Sequence, residues 1–365
     1  MYQNMQKNLD IKRVLMTGGG TLGPVTPLLA IVEEWKSQEE IDFFWIGTRK
    51  GPERALIESV NIPYASIIAP KFDRHNYWKC ILIPFEFIIG FCQSLIEVKE
   101  TRPDIIFTAG GYVSVPVVLV AWLFRIPIWV HQLDIIPGIA NRIMSFFASQ
   151  ITVTWSDSME YFNEQKTTVV GGVMRHALMH GDRESVYERY GLEKNKFTLL
   201  VMGGGTGAIE INNAMEAIGQ DLLDQIQIIH LTGRGKISRS LESMGDGYVA
   251  LEFLGIGMRD MYAISDLVVA RAGMGTIIEL SALRKPTIFI PIHNTDQLAN
   301  AKMIEERAAG EVLYEMNPQI LKQTILKLLS DKSRCDRFSF RISALFSAFG
   351  AKDIVRMARA MLKTD

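Results

Sequence analysis

"RVLMTGGGTLGPVTPLLAIVEEW", residues 13–35, is the stretch from which the fold is read. An apolar run ends in Gly18-x-Gly20-x-x-Gly23 and passes into apolar positions at helical spacing. Strand, glycine turn and helix in that order make a parallel-sheet crossover, and such a turn brings backbone amides close to a phosphate. In a nicotinamide enzyme the second strand ends in a carboxylate that holds a ribose. Here it ends "FFWIGTRKG" (residues 43–51), with Thr48 and Arg49 and no acid. An arginine there suits a 2′-phosphate, so NADP and other phosphate-bearing ligands both stay open.

Outward from this stretch, short apolar runs at 13–16, 43–46, 65–68, 105–108, 128–130 and 151–153 alternate with amphipathic stretches. That alternation means crossover units and a parallel sheet. The pattern restarts at "FTLLVMGGG" (197–205) and runs through 227–231, 249–253, 267–270 and 287–290. A chain of 365 residues exceeds what one core organises. We therefore expect an N-terminal domain over 1–166, a C-terminal domain over 167–345, and a last helix over 346–365 packing back on the first domain. "VLMTGGGTLG" and "LLVMGGGTGA" echo each other, one per half. The fold class is α/β, two Rossmann-like, doubly wound domains facing across a cleft at the carboxyl ends of their strands.

With 39 basic against 40 acidic residues, no global charge favours nucleic acid. Three scattered cysteines, Cys80, Cys92 and Cys335, give neither a disulfide framework nor a metal knuckle, and fit a reducing cytosol. The polar start "MYQNMQKNLD" has no apolar segment of the signal-peptide kind. The most apolar window, 78–98, is interrupted by Pro84, Glu86 and Gln93, short of a clean membrane span. Its helix either faces the core or, with Lys71, Arg74 and Lys79 upstream, lies on an anionic bilayer.

Three further motifs carry chemistry. "DIIFTAGGYVSVP" (104–116) ends a strand in Gly110-Gly111, with Tyr112 and Ser114 before a helix, either a simple turn or a second anion site beside the first. "ARAGMGTIIEL" (270–280) ends a strand at Arg271, opens a helix through Gly273 and Gly275, and sets Glu279 about one turn in, where a carboxylate can accept both hydroxyls of a ribose. "HNTDQLANA" (293–301) gathers Asp296, Gln297 and Asn300 at another helix start. His176 and His180 are four apart without a third zinc ligand, and no Asp-x-Asp is present to hold a catalytic metal.

Taken together, these pieces resemble the peptidoglycan lipid-intermediate N-acetylglucosaminyltransferases, the MurG-like members of glycosyltransferase family 28, which are two-domain enzymes of the B fold. The resemblance spans about residues 12 to 350 and is most specific at "GGYVSVP" (110–116), "GGGTGAIEINNAM" (203–215) and the block 279–300, whose order and spacing match jointly. It implies inverting transfer of N-acetylglucosamine from UDP-N-acetylglucosamine to a lipid-linked muramyl-peptide pyrophosphate, without metal or cofactor, on the cytoplasmic face of the cell membrane. Gly204, Gly205 and Thr206 would approach the diphosphate with Arg175 near it, Glu279 would hold the ribose, and Gln297 and Asn300 would face the sugar. Arg271, Gly275, Thr276 and Asp296 complete the implied donor site. Acceptor phosphates would meet Gly19, Gly20, Thr21 and Gly23 in the first loop and Gly110, Gly111, Tyr112 and Ser114 in the second, with Asn141 beside them. The strip 81–91 would meet the membrane.

The chain departs from the family at three points. Pro24 stands where the family's first loop carries a histidine, and proline cannot take a proton. His131-Gln132-Leu133-Asp134 replaces the family's His-Glu-Gln-Asn, and Gly205-Thr206 replaces its Ser-Gln pair. Inverting transfer needs a base near neutrality, and His131 and Asp134 are the titratable groups left on the expected loop. The departures keep open a transferase with another sugar or lipid acceptor, and a nucleotide-sugar-binding homologue without chemistry.

Overall fold

A computed structural model describes residues 11–70, 83–204, 207–252 and 257–363. It divides into two compact units, Met1–Arg175 with Ala348–Asp365, and His176–Ser347. The membrane strip's first residues, the upstream Lys71, Arg74 and Lys79, Cys80, and the loop residues Gly205 and Thr206 lie outside the described residues.

The first unit runs β1 (Arg13–Thr17), α1 (Val25–Lys36), β2 (Asp42–Thr48), α2 (Glu53–Ser59), β3 (Tyr64–Ile67), α3 (Ile83–Thr101), β4 (Ile105–Thr108), α4 (Ser114–Leu123), β5 (Ile128–Gln132), α5 (Ile139–Phe147), β6 (Gln150–Val153) and β7 (Thr167–Val169). Its seven strands are all parallel in the order β3-β2-β1-β4-β5-β6-β7. The strand residues are buried on both faces, as a parallel sheet covered by helices requires. Trp35, Phe107 and Trp129 line up through the interior, Phe107 lying 5.9 Å edge-on from Trp35 and 5.3 Å stacked on Trp129.

The second unit runs α6 (Arg183–Tyr190), β8 (Phe197–Met202), α7 (Ile209–Leu222), β9 (Ile226–Leu231), α8 (Arg239–Glu242), β10 (Tyr248–Leu251), α9 (Met258–Ile264), β11 (Leu267–Ala270), α10 (Met274–Ala282), β12 (Thr287–Phe289), α11 (Gln297–Glu306), β13 (Glu311–Val312), α12 (Pro318–Ser330) and α13 (Lys332–Ser343). The order β10-β9-β8-β11-β12-β13 is again parallel throughout. The chain then returns to the first unit as α14 (Gly350–Lys363), which packs on α1 and pairs Arg359 with Glu39 at 2.9 Å.

The expected boundary near residue 166 falls elsewhere in the structure, because Thr167–Val169 pairs with β6 as the last strand of the first sheet. The short helix that follows is α6, closed by Gly191 in the left-handed conformation. Among the described residues, no helix is long and apolar enough to cross a membrane.

Candidate active site

In each sheet the strand order reverses beside the first strand of the unit, between β1 and β4 and between β8 and β11. At such a point neighbouring crossovers leave to opposite faces and open a crevice at the carboxyl ends. The paired strands end level there, Thr17 opposite Thr108 and Met202 opposite Ala270. All four glycine turns singled out in the sequence therefore emerge at the two reversal points, two per unit.

In the first unit the loops after β1 and β4 touch. A Cβ on Gly111, whose φ is +95°, would lie 2.8 Å from the Gly19 carbonyl oxygen, so only glycine allows this approach. Ser114 is fully buried; its Oγ accepts from Thr17 Oγ1 at 3.3 Å and donates to the Gly110 carbonyl at 3.1 Å, riveting the two loops. The Gly110 amide donates to Thr108 Oγ1 at 3.0 Å and the Gly20 amide to Glu53 Oε2 at 3.2 Å. These two amides, expected to face acceptor phosphate, are thus engaged internally, whereas Thr21 and Gly23 are exposed and Tyr112 covers Gly20.

His131 corrects the sequence reading most. It sits inside β5, fully buried, with Nδ1 3.1 Å from Thr152 Oγ1 and Nε2 without a partner. Burial pushes its pKa down to about 3, leaving the imidazole neutral and a poor proton acceptor. Asp134 lies two residues past the strand and is half-buried. Its carbonyl accepts from Gln132 Nε2 at 2.7 Å, and Gln132 Oε1 accepts from Asn141 Nδ2 at 2.5 Å. The free lone pairs of the buried Asn141 Oδ1 lie under the second loop, 2.8 Å from where a Gly110 Cβ would sit. Arg175 closes the first unit, its Nε buried without a partner.

In the second unit the turn after β8 is closed by Gly207 N donating to Gly204 O at 3.0 Å, and α7 begins with no side-chain cap. α10 also begins uncapped, at Gly273, so Gly275 and Thr276 lie in a first turn with amides open to an anion. Glu279, half-buried one turn further, accepts from the buried Tyr262 hydroxyl at 2.8 Å. Gln297 Nε2 lies 3.9 Å from the Gly273 Cβ position, while Gln297 Oε1 accepts from Ile292 N at 3.1 Å. Asp296 is exposed at the head of α11.

Arg271 and Asn300 have roles unlike those expected. Arg271 is buried and donates from Nη1 to the Ile290 carbonyl at 3.3 Å and from Nη2 to Glu210 Oε2 at 2.6 Å. Asn300 is buried and donates to the Ala272 carbonyl at 3.0 Å. Both side chains hold the turns in place. A second tie is the buried chain Tyr248 OH, His230 Nδ1 at 2.8 Å, His230 Nε2, Asn212 Oδ1 at 3.1 Å, which anchors α7 to β9 and β10. Burial pushes the His230 pKa down to about 4, and the neutral ring accepts on one side and donates on the other. Glu53, Tyr262, Glu210 and His230 escaped the sequence reading because their motifs carry no spacing signal; they meet the glycine turns only through the sheet.

Two doubly wound units with glycine turns at their reversal points are the architecture that two-domain, B-fold glycosyltransferases have. Residues 14–153 match the glycosyltransferase family 28 N-terminal domain and residues 198–354 its C-terminal domain. The chain belongs to this family, among its MurG-like members. It is 37% identical over 328 residues, 88% of this chain and 92% of the relative, to the UDP-N-acetylglucosamine–N-acetylmuramyl-(pentapeptide) pyrophosphoryl-undecaprenol N-acetylglucosamine transferase of Lachnospira eligens. To the transferase of the same name from Geobacillus thermodenitrificans it is 37% identical over 330 residues, 88% of this chain and 92% of the relative. The crystal structure of Acinetobacter baumannii MurG has the same fold, with a TM-score of 0.73, 23% identity, and coverage of 96% of this chain and 99% of that one.

Proposed function

We propose that the chain transfers N-acetylglucosamine from UDP-N-acetylglucosamine to the muramyl sugar of a pyrophosphoryl-undecaprenol-linked peptide, with inversion at the sugar carbon. The observation that carries this is the pairing at one reversal point of two uncapped helix starts, α7 and α10, with a half-buried glutamate held by a tyrosine hydroxyl. The helix starts supply amide dipoles for a diphosphate, and Glu279 supplies an acceptor for ribose hydroxyls. Relatives matched along nearly nine-tenths of the chain bear the name of this reaction.

In the reaction a hydroxyl of the muramyl sugar attacks the anomeric carbon of N-acetylglucosamine. The bond from that carbon to the β-phosphate oxygen breaks, and UDP leaves with the electron pair. Amides at the starts of α7 and α10 stabilise the growing charge without moving, which is electrostatic preorganisation. With His131 buried and neutral and Pro24 unable to take a proton, Asp134 is the group we assign as base for the hydroxyl proton. We assign Gly204, Gly275 and Thr276 to the donor diphosphate, and Gln297 and Asp296 to the sugar. Arg271 and Asn300 keep those turns in shape. The loops carrying Gly19, Gly20, Thr21 and Gly23 and Gly110, Gly111, Tyr112 and Ser114 frame the acceptor pyrophosphate, with Asn141 beneath them.

We further propose that the first unit rests on the inner face of the cell membrane. Phe85, Ile88, Ile89 and Ile96 on α3, Trp122 to Phe124 at the end of α4, and Ile139, Ile143 and Phe146 on α5 are exposed on helices that contact in series. Exposed apolar side chains in such number, with Arg125 and Arg142 among them, suit an anionic bilayer surface. The deciding experiment measures UDP release from UDP-N-acetylglucosamine with and without a short-prenyl muramyl-pentapeptide pyrophosphate. Release that does not depend on the acceptor would refute the assignment.

A further inference from the structure

Glu53 is wholly buried, yet it is a carboxylate. It stands at the start of α2, immediately below the glycine loop that follows β1. Its Oε1 accepts from Thr48 N at 2.8 Å and Thr48 Oγ1 at 2.5 Å, and its Oε2 accepts from Gly20 N at 3.2 Å. The Tyr64 hydroxyl, which donates to the Thr48 carbonyl at 2.6 Å, lies 3.4 Å from Oε1. A Cβ on Gly19 or on Gly51 would collide with this carboxylate, so two glycines make room for it. Burial, reinforced by the Glu53 charge, pushes the Tyr64 and Tyr112 phenols up, so its field reaches both rings beside the loop.

Burying a carboxylate on neutral donors is costly against an amide or apolar group of the same size. What the charge does here is geometric. Gly20 has φ +83° under the Tyr112 ring, a left-handed turn that points its N–H down at Glu53 and away from the loop mouth. From the other side Trp45 Nε1 donates to the Gly18 carbonyl at 3.0 Å. The loop is thereby held at both ends of its tightest turn, by one donor and one acceptor from β2 and α2.

We propose that Glu53 is a positioning residue for the acceptor: its carboxylate fixes the loop after β1 in the conformation that meets the acceptor pyrophosphate. This rests on the reading above, in which that loop frames those phosphates. A carboxylate is required rather than its amide, because the described donors, from Thr48, Gly20 and Tyr64, converge on its two oxygens. In Glu53→Gln the side-chain oxygen keeps the Thr48 bonds, and the NH2 group then meets the Gly20 N–H donor to donor.

The test measures hydrogen exchange of the segment 18–24 in the full chain, together with KM for the short-prenyl muramyl-pentapeptide pyrophosphate and for UDP-N-acetylglucosamine. We expect Glu53→Gln to exchange faster in 18–24 and to raise acceptor KM by about tenfold or more, the factor carried by one unmade buried hydrogen bond. Donor KM should stay within about twofold, since the donor site lies in the other unit. Glu53→Asp keeps the charge and the Thr48 bonds but withdraws from Gly20, and should shift the same two readouts if Gln does not fold. Unchanged exchange in 18–24, or equal rises in both KM values with a fall in Tm, would overturn the proposal. Absence of acceptor-dependent UDP release by the wild type would overturn the functional reading and the acceptor role with it, while exchange still reports whether the carboxylate holds the loop.

Discussion

Replacing Glu279 by alanine removes the carboxylate assigned to the ribose and the acceptor of the Tyr262 hydroxyl in one step. A hydrogen bond to a charged group contributes about 1.5–3 kcal/mol. Two ribose hydroxyls on a half-exposed carboxylate, partly replaced by water in the free protein, amount to about 3 kcal/mol net. At about 1.4 kcal/mol per decade this is roughly a hundredfold loss of UDP-N-acetylglucosamine affinity. Glutamine has one carbonyl oxygen, shared between Tyr262 and the ribose, and an NH2 group that a ribose hydroxyl oxygen can accept from, so Glu279→Gln should lose only about tenfold. Tyr262 is fully buried, and without Glu279 its hydroxyl keeps Met202 Sδ at 3.7 Å, a weak acceptor. The folded state should then lose about 1 kcal/mol, roughly 2–4 °C in Tm. Calorimetric titration with UDP and UDP-N-acetylglucosamine separates the possibilities, because the ribose is common to both and the factor must be the same for each. Affinities within threefold of wild type for both ligands would refute the assignment. A loss confined to UDP-N-acetylglucosamine would move Glu279 from the ribose to the sugar.

Three other expectations can be checked directly. His131 and His230 are buried with pKa values lowered to about 3 and about 4, below the roughly 6.5 of an unfolded histidine. The unfolded chain therefore binds more protons in between, so stability is full above about pH 6.5 and falls as pH drops through 4; urea unfolding at pH 7.5, 6 and 5 should show this, and a flat profile would contradict it. Asp134→Asn should lower kcat by about a hundredfold or more, the scale of general-base assistance, with donor affinity kept; unchanged kcat would remove Asp134 from that role. Phe146→Glu, on an exposed position of α5, should reduce flotation with anionic vesicles while leaving UDP binding intact, and equal flotation would count against the membrane face.

The fold was legible because parallel strands buried on both faces read as short apolar runs, and each run from 13–16 to 287–290 lies on a strand of the structure. β7 and β13 were missed: unlike the equally short but wholly buried β12, they are only partly buried and their residues, TTV and EV, make no apolar run, so pairing with a neighbour, not composition, makes them strands. The glycine turns were legible for the same reason as the strands, since local backbone demands local residues. The partners of those turns were not. Glu53 reaches Gly20 across 33 residues and Arg271 reaches Glu210 across 61, and nothing at either position announces the contact. His131 was misplaced because a motif gives order along the chain but not which side of a strand a residue faces; at its position in β5 the side chain points into the interior.

The return of α14 to the unit where the chain began means that residues 176–347 are, in sequence, an insertion with both ends spliced into one host. The host is complete only when the fourteen-residue α14 has left the ribosome and found α1. Removing α14 should therefore injure the distant unit that holds α1 first, and spare the segment immediately upstream of the cut.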